Sequence, residues 1–420
     1  MQSKKIVIVG NSFSSAAVFY FLQNCISKSR QLFDLILISD RKYYYFSNLL
    51  PDLLKDEISF SEISEAFRSI SYIRPGISFI KAKVLEIDLQ GKTIETTKGS
   101  IQYDYLILSP ENDEDNFSLK ANKSNFFKFQ TPYDVIKIQN HINNVLENST
   151  IEKNVDVKRI LLTFSIIGAK ESGVELTLSL ADYLNGLLSK SYPEIKNSFT
   201  TINLIDLEKS LGIEQSHFYN NYLFYDLNKK NVKIVIGSKV NEINGNKIIL
   251  ENGEEISSST IIFSGKCKSS SLFKSLGLEL SAISKAENVF VIGEAASIPS
   301  AQGVKPSVLF YKEEAKHCAE SVISKLNNDI LRPFKNNTSF SFLSIGKKKA
   351  IVDFNNFHLS GFFAWAVYRL LFVNSFLTFQ KRLKSLIKFF ICMFGLGDND
   401  MTLLSNPEIK ILEKNLISKD

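Results

Sequence analysis

The chain has 420 residues, 44% of them apolar and 22% charged, and a formal net charge of +6. That length suffices for two or three domains with sizeable cores. The mild charge and the lack of an arginine-and-aromatic strip speak against nucleic acid as a partner.

Cys25, Cys267, Cys318 and Cys392 lie far apart, with no C-x-x-C, and the four histidines (His141, His217, His317, His358) do not cluster. Neither a redox dithiol nor a metal site is expected, and scattered thiols fit a reducing compartment. No run of 18 apolar residues and no signal-peptide core is present, so a spanning helix is not expected.

In chain order, "KIVIV" reads as a buried strand, 13–29 as a helix and "FDLILIS" (33–39) as a second strand ended by Asp40. A helix is expected near 61–70, and a small antiparallel meander over 77–109. A helix near 131–148 leads to a second β-α-β unit: strand 160–168, helix 171–189 and strand 201–206. A second meander follows, then the strand 288–293 and a helix from about 305 to 326. One unit therefore occurs twice. The fold class is α/β: two Rossmann-like domains with antiparallel meanders, plus a C-terminal helical region.

That region starts near 335. No acidic residue occurs between Phe354 and Gly397. On a helix, Lys381, Lys384 and Lys388 share one face, while Leu383, Leu386, Ile387, Phe390, Ile391 and Phe394 lie on the other. Such a helix can lie in a membrane interface with its cations near lipid phosphates. Packing on the protein's own core is the plain alternative. Deleting 360–420 is expected to leave a soluble protein that no longer partitions to membranes.

The phosphate turns decide how much nucleotide chemistry survives. A Rossmann turn uses one glycine to turn, one for close approach of the pyrophosphate, and one for helix-strand packing. The first turn keeps only Gly10, with Ser12 and Ser15 in the other places. Asp40 suits a ribose hydroxyl. The second keeps Gly168 and Gly173 with Lys170 between them; that lysine has to swing aside or set its ammonium on the phosphates. Asp206 would accept from a ribose 2′-OH and repel a 2′-phosphate, which favours NADH over NADPH. Each turn alone reads equally as a mere strand-helix junction.

The order of the pieces resembles the type II NADH dehydrogenases, single-chain non-pumping NADH:quinone oxidoreductases with FAD. "DRKYYYFSNLLPDLLKDEIS", "YDYLILS", "IIGAKESGVELTLSLADYL", "SSSLFKSLGLEL", "NVFVIGEAA" and "KKKAIVDFNNFHLSGFFAWAVYRLLFV" carry the likeness. It implies that FAD is held by Gly10, Ser12, Ser15, Asp40, Gly293 and Glu294, and NADH by Gly168, Lys170, Gly173 and Asp206. It implies that Glu175 sits near nicotinamide and flavin, and that Glu313 takes a place on the quinone side. The implied partners are a quinone and a membrane surface on the cytoplasmic side; homodimer contacts through the tail stay open.

The implied domains are 1–125 and 266–334 for FAD, 126–265 for NADH and 335–420 for the membrane. Three departures stand out. Ser109-Pro110-Glu111 replaces an Ala-Thr-Gly turn. Leu309 and Glu313 replace two glutamines of the quinone-side motif. The segment before "NVFVIG" is shortened. A flavoprotein with another acceptor, or a non-catalytic relative that keeps the fold, are the competing readings.

Overall fold

The computed structural model describes residues 3–25, 29, 32–71, 75–109, 125–208, 217–265, 288–293, 307–334, 340–354 and 357–393. Two five-stranded parallel sheets form its frame. In the first, the order is Val289–Val291, Tyr105–Leu108, Lys4–Val9, Phe33–Ser39 and Ile77–Lys81. In the second it is Phe126–Lys128, Thr260–Phe263, Thr163–Ile167, Thr201–Asp206 and Val232–Ile236. The sheets repeat one topology: the first strand of each unit pairs with the second on one side and, on the other, with the strand that follows the meander. Both meanders are three-stranded and antiparallel: Val84–Gln102 and Val240–Ser257. Duplication read from the sequence is therefore present in the strand order itself.

The sheets are buried on both faces, so their strands are continuous apolar runs rather than alternating ones. Helix Phe13–Asn24 is covered as well, with nine of its twelve residues buried. It lies between the first sheet and helix Val308–Asn327. Local chemistry sets the helix ends. Helix Pro132–Ile151 starts with a capping box, Thr131 and Asp134, and a proline in its first turn. Asn328, at φ 57°, ends helix Val308–Asn327 in a left-handed cap.

Two expected elements differ. Residues 160 and 161 close a short helix, Val155–Leu161, whose N-terminus Asn154 caps; the strand is only Thr163–Ile167. An asparagine with two accepting bonds outweighs the β-branched run that follows it. The helix expected near 61–70 is two short helices, Phe60–Ile63 and Phe67–Ile70, divided by the strand Ser64–Ala66. That strand pairs with Tyr43–Tyr45, and Glu65 accepts from Tyr44 Oη at 2.5 Å.

The C-terminal region adds a third antiparallel sheet, Phe340–Gly346, Lys349–Phe354 and Phe357–Gly361, ahead of helices Phe362–Ser375 and Phe379–Met393. The first helix is not a detachable anchor. Trp365, Tyr368 and Phe372 are buried. Phe372 and Phe376 meet Phe46 at ring distances of 5.4 and 5.0 Å, and Phe46 meets Phe13, the first residue of the first nucleotide helix, at 5.0 Å. Removing 360–420 would open this core, which overturns the expectation of an intact, soluble remainder.

Polar contacts bind the three parts at one buried point. Lys55 Nζ lies 2.9 Å from Asp52 Oδ1 and 3.0 Å from Glu57 Oε2, with all three side chains at 1% exposure or less. It also donates to Ser344 Oγ at 2.7 Å and to the Gly346 carbonyl at 2.8 Å. Ser344 Oγ donates to Asp52 Oδ1 at 2.8 Å, and Ser344 N–H donates to Glu175 Oε1 at 2.8 Å. Burial pushes the Lys55 ammonium down, but Asp52 and Glu57 outweigh it and hold the group well above its usual value. Lys55→Met is expected to destabilise the protein by about 3–5 kcal/mol, because two carboxyl groups stay buried without their cation. Urea unfolding measures this, and an unchanged midpoint would show the cluster to be energetically idle.

Candidate functional site

Both phosphate turns lie at the carboxyl ends of their sheets, where such folds take ligands. At the first, Gly10 N–H donates to the Ile38 carbonyl at 3.1 Å and Ser109 N–H to the Val9 carbonyl at 2.9 Å. A Cβ at Gly10 would run into the Ser109 carbonyl, so glycine is required there by close backbone approach. Ser12 is the N-cap of helix Phe13–Asn24; its Oγ accepts from Ser15 N–H at 3.3 Å and lies 2.8 Å from Ser109 Oγ. Ser15 is fully buried and its hydroxyl donates to the Ser12 carbonyl at 2.7 Å. Asn11 Nδ2 donates to Asp40 Oδ1 at 3.1 Å. Gly293, at φ 83°, closes the turn from below: a Cβ there would sit 3.0 Å from Ser109 Oγ and 3.1 Å from Ser14 Oγ. Gly10, Ser12, Ser15, Asp40 and Gly293 are thus gathered at one sheet edge. Glu294 lies outside the described residues.

This donor set fits a diphosphate. The first N–H groups of a helix have no intrahelical acceptor, and two rotatable hydroxyls, Ser12 and Ser109, stand beside them. A hydroxyl can turn its proton from a neighbour to an anion. Ser12 thus brings a donor to a place where glycine would bring close approach.

The second turn is built alike. Gly168 N–H donates to the Ile205 carbonyl at 2.8 Å, and Ser264, the counterpart of Ser109, donates its Oγ to the Gly168 carbonyl at 3.3 Å. A Cβ at Gly173 would collide with the Gly168 carbonyl. Lys170 is the helix N-cap residue, with no side-chain cap bond. Its exposed ammonium lies 3.5 Å from Glu208, also exposed, so it swings out across the mouth of the turn. Asp206 Oδ2 accepts from Ala169 N–H and Oδ1 from Glu208 N–H at 3.0 Å. Its carboxylate orients the turn itself and keeps acceptor capacity for a ribose.

The two residues expected in catalysis part company. Glu175 belongs to the buried Lys55 cluster; burial and then Asp52 raise its carboxyl well above the usual range, against the Ser344 N–H bond and Lys55. Glu313 is exposed on helix Val308–Asn327. Its neighbour Glu314 points inward instead. Gly293 N–H donates to Glu314 Oε2 at 2.9 Å, and Oε1 is buried without a hydrogen-bond partner among the described residues. Burial pushes this carboxyl up to about 8, with the Gly293 bond acting against it.

Sequence reasoning missed Asn11, Asp52, Lys55, Ser344 and Glu314. One signal was present: "LLPDLLKDEIS" sets Asp52, Lys55 and Glu57 inside an apolar run, where charges are buried only if paired. Ser344 left no such mark.

A family profile, pyridine nucleotide-disulphide oxidoreductase, matches residues 4–321, and the chain belongs to that family. It is similar to a "Probable NADH dehydrogenase" from Dictyostelium discoideum, 23% identical over 88% of this chain and 85% of the relative. The type II NADH:quinone oxidoreductase Ndh of Mycobacterium tuberculosis is 21% identical over 95% of this chain and 90% of its own length. Among solved structures, NDH2 from Plasmodium falciparum in complex with NADH aligns with a TM-score of 0.80 at 17% identity, covering 96% of this chain and all of that one.

The buried Glu314 sets a pH dependence. Its folded-state value is raised, so its contribution is fully present below the unfolded value near 4.5 and is lost as pH rises through about 8. Glu314→Gln is expected to gain stability over the parent as pH rises across that window, on the order of 3 kcal/mol by its upper end. Parallel stability-pH curves for parent and variant would refute this.

Proposed function

We propose that this chain is an FAD-dependent oxidoreductase that passes electrons from NADH through flavin to a membrane quinone. The observation that carries the reading is the pair of equivalent turns, Gly10–Ser109 and Gly168–Ser264, at the carboxyl ends of two parallel sheets that share the order of four of their five strands. It uses domains 1–125 and 266–334 for FAD, 126–265 for NADH and 335–420 for the membrane surface. Gly10, Ser12, Ser15, Asp40 and Gly293 hold FAD. Gly168, Lys170, Gly173 and Asp206 hold NADH. Held by these residues, FAD would supply the redox chemistry that links NADH to the quinone. The chain binds, orients and excludes water. Glu175 has Oε1 fixed by Ser344 N–H, and burial, then Asp52, raise its carboxyl well above the usual range.

A second reading rests on one observation. The first turn satisfies itself: Ser12 meets Ser109, and Asn11 takes one oxygen of Asp40. A non-catalytic relative would do the same. Purified protein is expected to be yellow, with about one equivalent of flavin, and to oxidise NADH with quinone. Colourless protein that added FAD does not convert would favour the second reading.

Membrane attachment is peripheral in this proposal, on the cytoplasmic side. Among the described residues no helix is long and apolar enough to cross a membrane. Helix Phe379–Met393 exposes Leu383, Ile387, Phe390 and Ile391, and the preceding helix exposes Phe363 and Leu370. Two of the three lysines expected to meet lipid phosphates are tied at the surface to the protein itself: Lys381 donates to the Ser61 carbonyl and Lys388 to Ser61 Oγ at 3.0 Å. Attachment therefore relies on apolar area more than on charge. Leu383→Asp with Ile387→Asp and Phe390→Asp is expected to lower co-sedimentation with phosphatidylcholine vesicles at least tenfold or so. Unchanged vesicle binding, or loss of a homodimer instead, would assign the stripe to self-association.

A further inference from the structure

Glu314 has no part in the reading above, although it lies against the first turn. It is 5% exposed, on a helix that packs on helix Phe13–Asn24. Its Oε2 is tied to Gly293 N–H. Gly293 stands directly against the turn, since Ser109 Oγ and Ser14 Oγ are the atoms that a Cβ there would meet. Ser109 Oγ reaches Ser12 Oγ at 2.8 Å. A short chain of contacts thus joins a buried carboxyl to the hydroxyls that fit a diphosphate.

Among the described residues no cation offsets this carboxyl. Helix Phe13–Asn24 and strand Val289–Val291 carry no charged side chain. Helix Phe362–Ser375 carries one, Arg369, which lies by Asp52 and Glu62. On Glu314's own helix, Glu313, Lys316 and Glu320 are exposed, and Lys312 is bonded to the Asn374 carbonyl. The Tyr311 ring lies on Phe310 and the His317 ring on Phe334. Cys318, one turn on, is a titratable neighbour; burial and then Glu314 push its thiol up, so it stays protonated. A buried carboxylate with no cation beside it is strongly disfavoured, and it takes up a proton instead. Glu314 is accordingly neutral up to about 8.

We propose that Glu314 is a further residue of the first nucleotide site and couples the holding of FAD to a proton: neutral, it admits the diphosphate; ionised, it repels it. The inference rests on the FAD reading of the first turn. Like charges in a desolvated place oppose each other far more than in water, so diphosphate and carboxyl coexist there only while the proton is bound. No proton passes to or from the flavin. The sign follows. The competent fraction is near its maximum below about 8 and falls about tenfold with each pH unit above it. Linkage is reciprocal, so bound FAD keeps the proton on Glu314 to higher pH.

The test uses the full-length, FAD-loaded protein. Flavin released on dilution is separated by ultrafiltration from about pH 6.5 to about pH 9, and far-UV circular dichroism is followed at each pH. The parent is expected to bind FAD about tenfold more weakly near pH 9 than near pH 7, and to regain it on return. Glu314→Gln keeps an acceptor for Gly293 N–H but no charge, and should hold FAD within about twofold across that range. Glu314→Met, which drops the bond as well, should be equally flat whatever its absolute affinity. The inference is overturned if both variants weaken as the parent does, if the parent does not weaken, or if its release coincides with lost circular dichroism. A protein that binds no FAD even near pH 6.5 or so, where Glu314 is neutral, removes the FAD reading itself, and this inference with it.

Discussion

The ammonium of Lys55 is where the three parts of the chain meet. It comes from the first nucleotide-binding part, lies against Asp52 and Glu57, and reaches Ser344 and Gly346 in the third sheet. Through Ser344 it is one bond from Glu175, on the central helix of the second part. Further along that helix, Asp182 accepts from Lys347 N–H at 2.6 Å and from Lys230. Apolar packing is non-directional and would tolerate the two sheets sliding on one another. A buried cation that needs several oxygens at once does not. The relative placing of the two turns depends on this cluster.

The tail belongs to the same construction. Its sheet supplies Ser344 and Gly346, and Arg369 from its first helix lies 3.9 Å from Asp52 and 3.6 Å from Glu62. Glu65 accepts from Leu377 N–H and Thr378 Oγ1, at the start of the second helix. A carboxylate at a helix N-terminus meets unsatisfied N–H groups and the positive end of the helix dipole. The surface stripe is therefore mounted on a rigid base, connected by the aromatic contacts of Phe376, Phe46 and Phe13 to the helix that begins the first turn.

The parallel strands and the duplicated order were legible because Lys4–Val9, Phe33–Ser39, Thr163–Ile167 and Thr201–Asp206 are short apolar runs closed by a glycine or an aspartate. Gly10, Gly168, Asp40 and Asp206 could be placed for the same reason. What those residues bond to was not legible. Asp206 gives one oxygen to Ala169 N–H in its own turn, and Asp40 to Asn11, because a short polar side chain turns to whatever donor the folded backbone brings near. The third sheet was missed because its strands are interrupted by Lys347-Lys348-Lys349, which reads as a charged loop although it is a hairpin turn with Lys348 at φ 52°. The helical amphipathicity of 379–393 was legible, but not which lysines face the protein, since that depends on Ser59 and Ser61 over three hundred residues earlier.

The two turns differ in what replaced the missing glycine, and the difference follows the environment. At the first, the middle position faces Ser109 at close range, so the replacement is a serine, small enough to cap the helix and bond across the gap. At the second, the matching position opens to solvent, and a lysine can leave the mouth clear by pairing with Glu208. An exposed pair of that kind is weak, on the order of 0–1 kcal/mol, so it breaks readily when a phosphate competes for the ammonium. The first turn is then tight and half-buried, which under the proposed roles suits a cofactor that stays. The second is open and loosely guarded, which under the same proposal suits a nucleotide that arrives and leaves with each turnover.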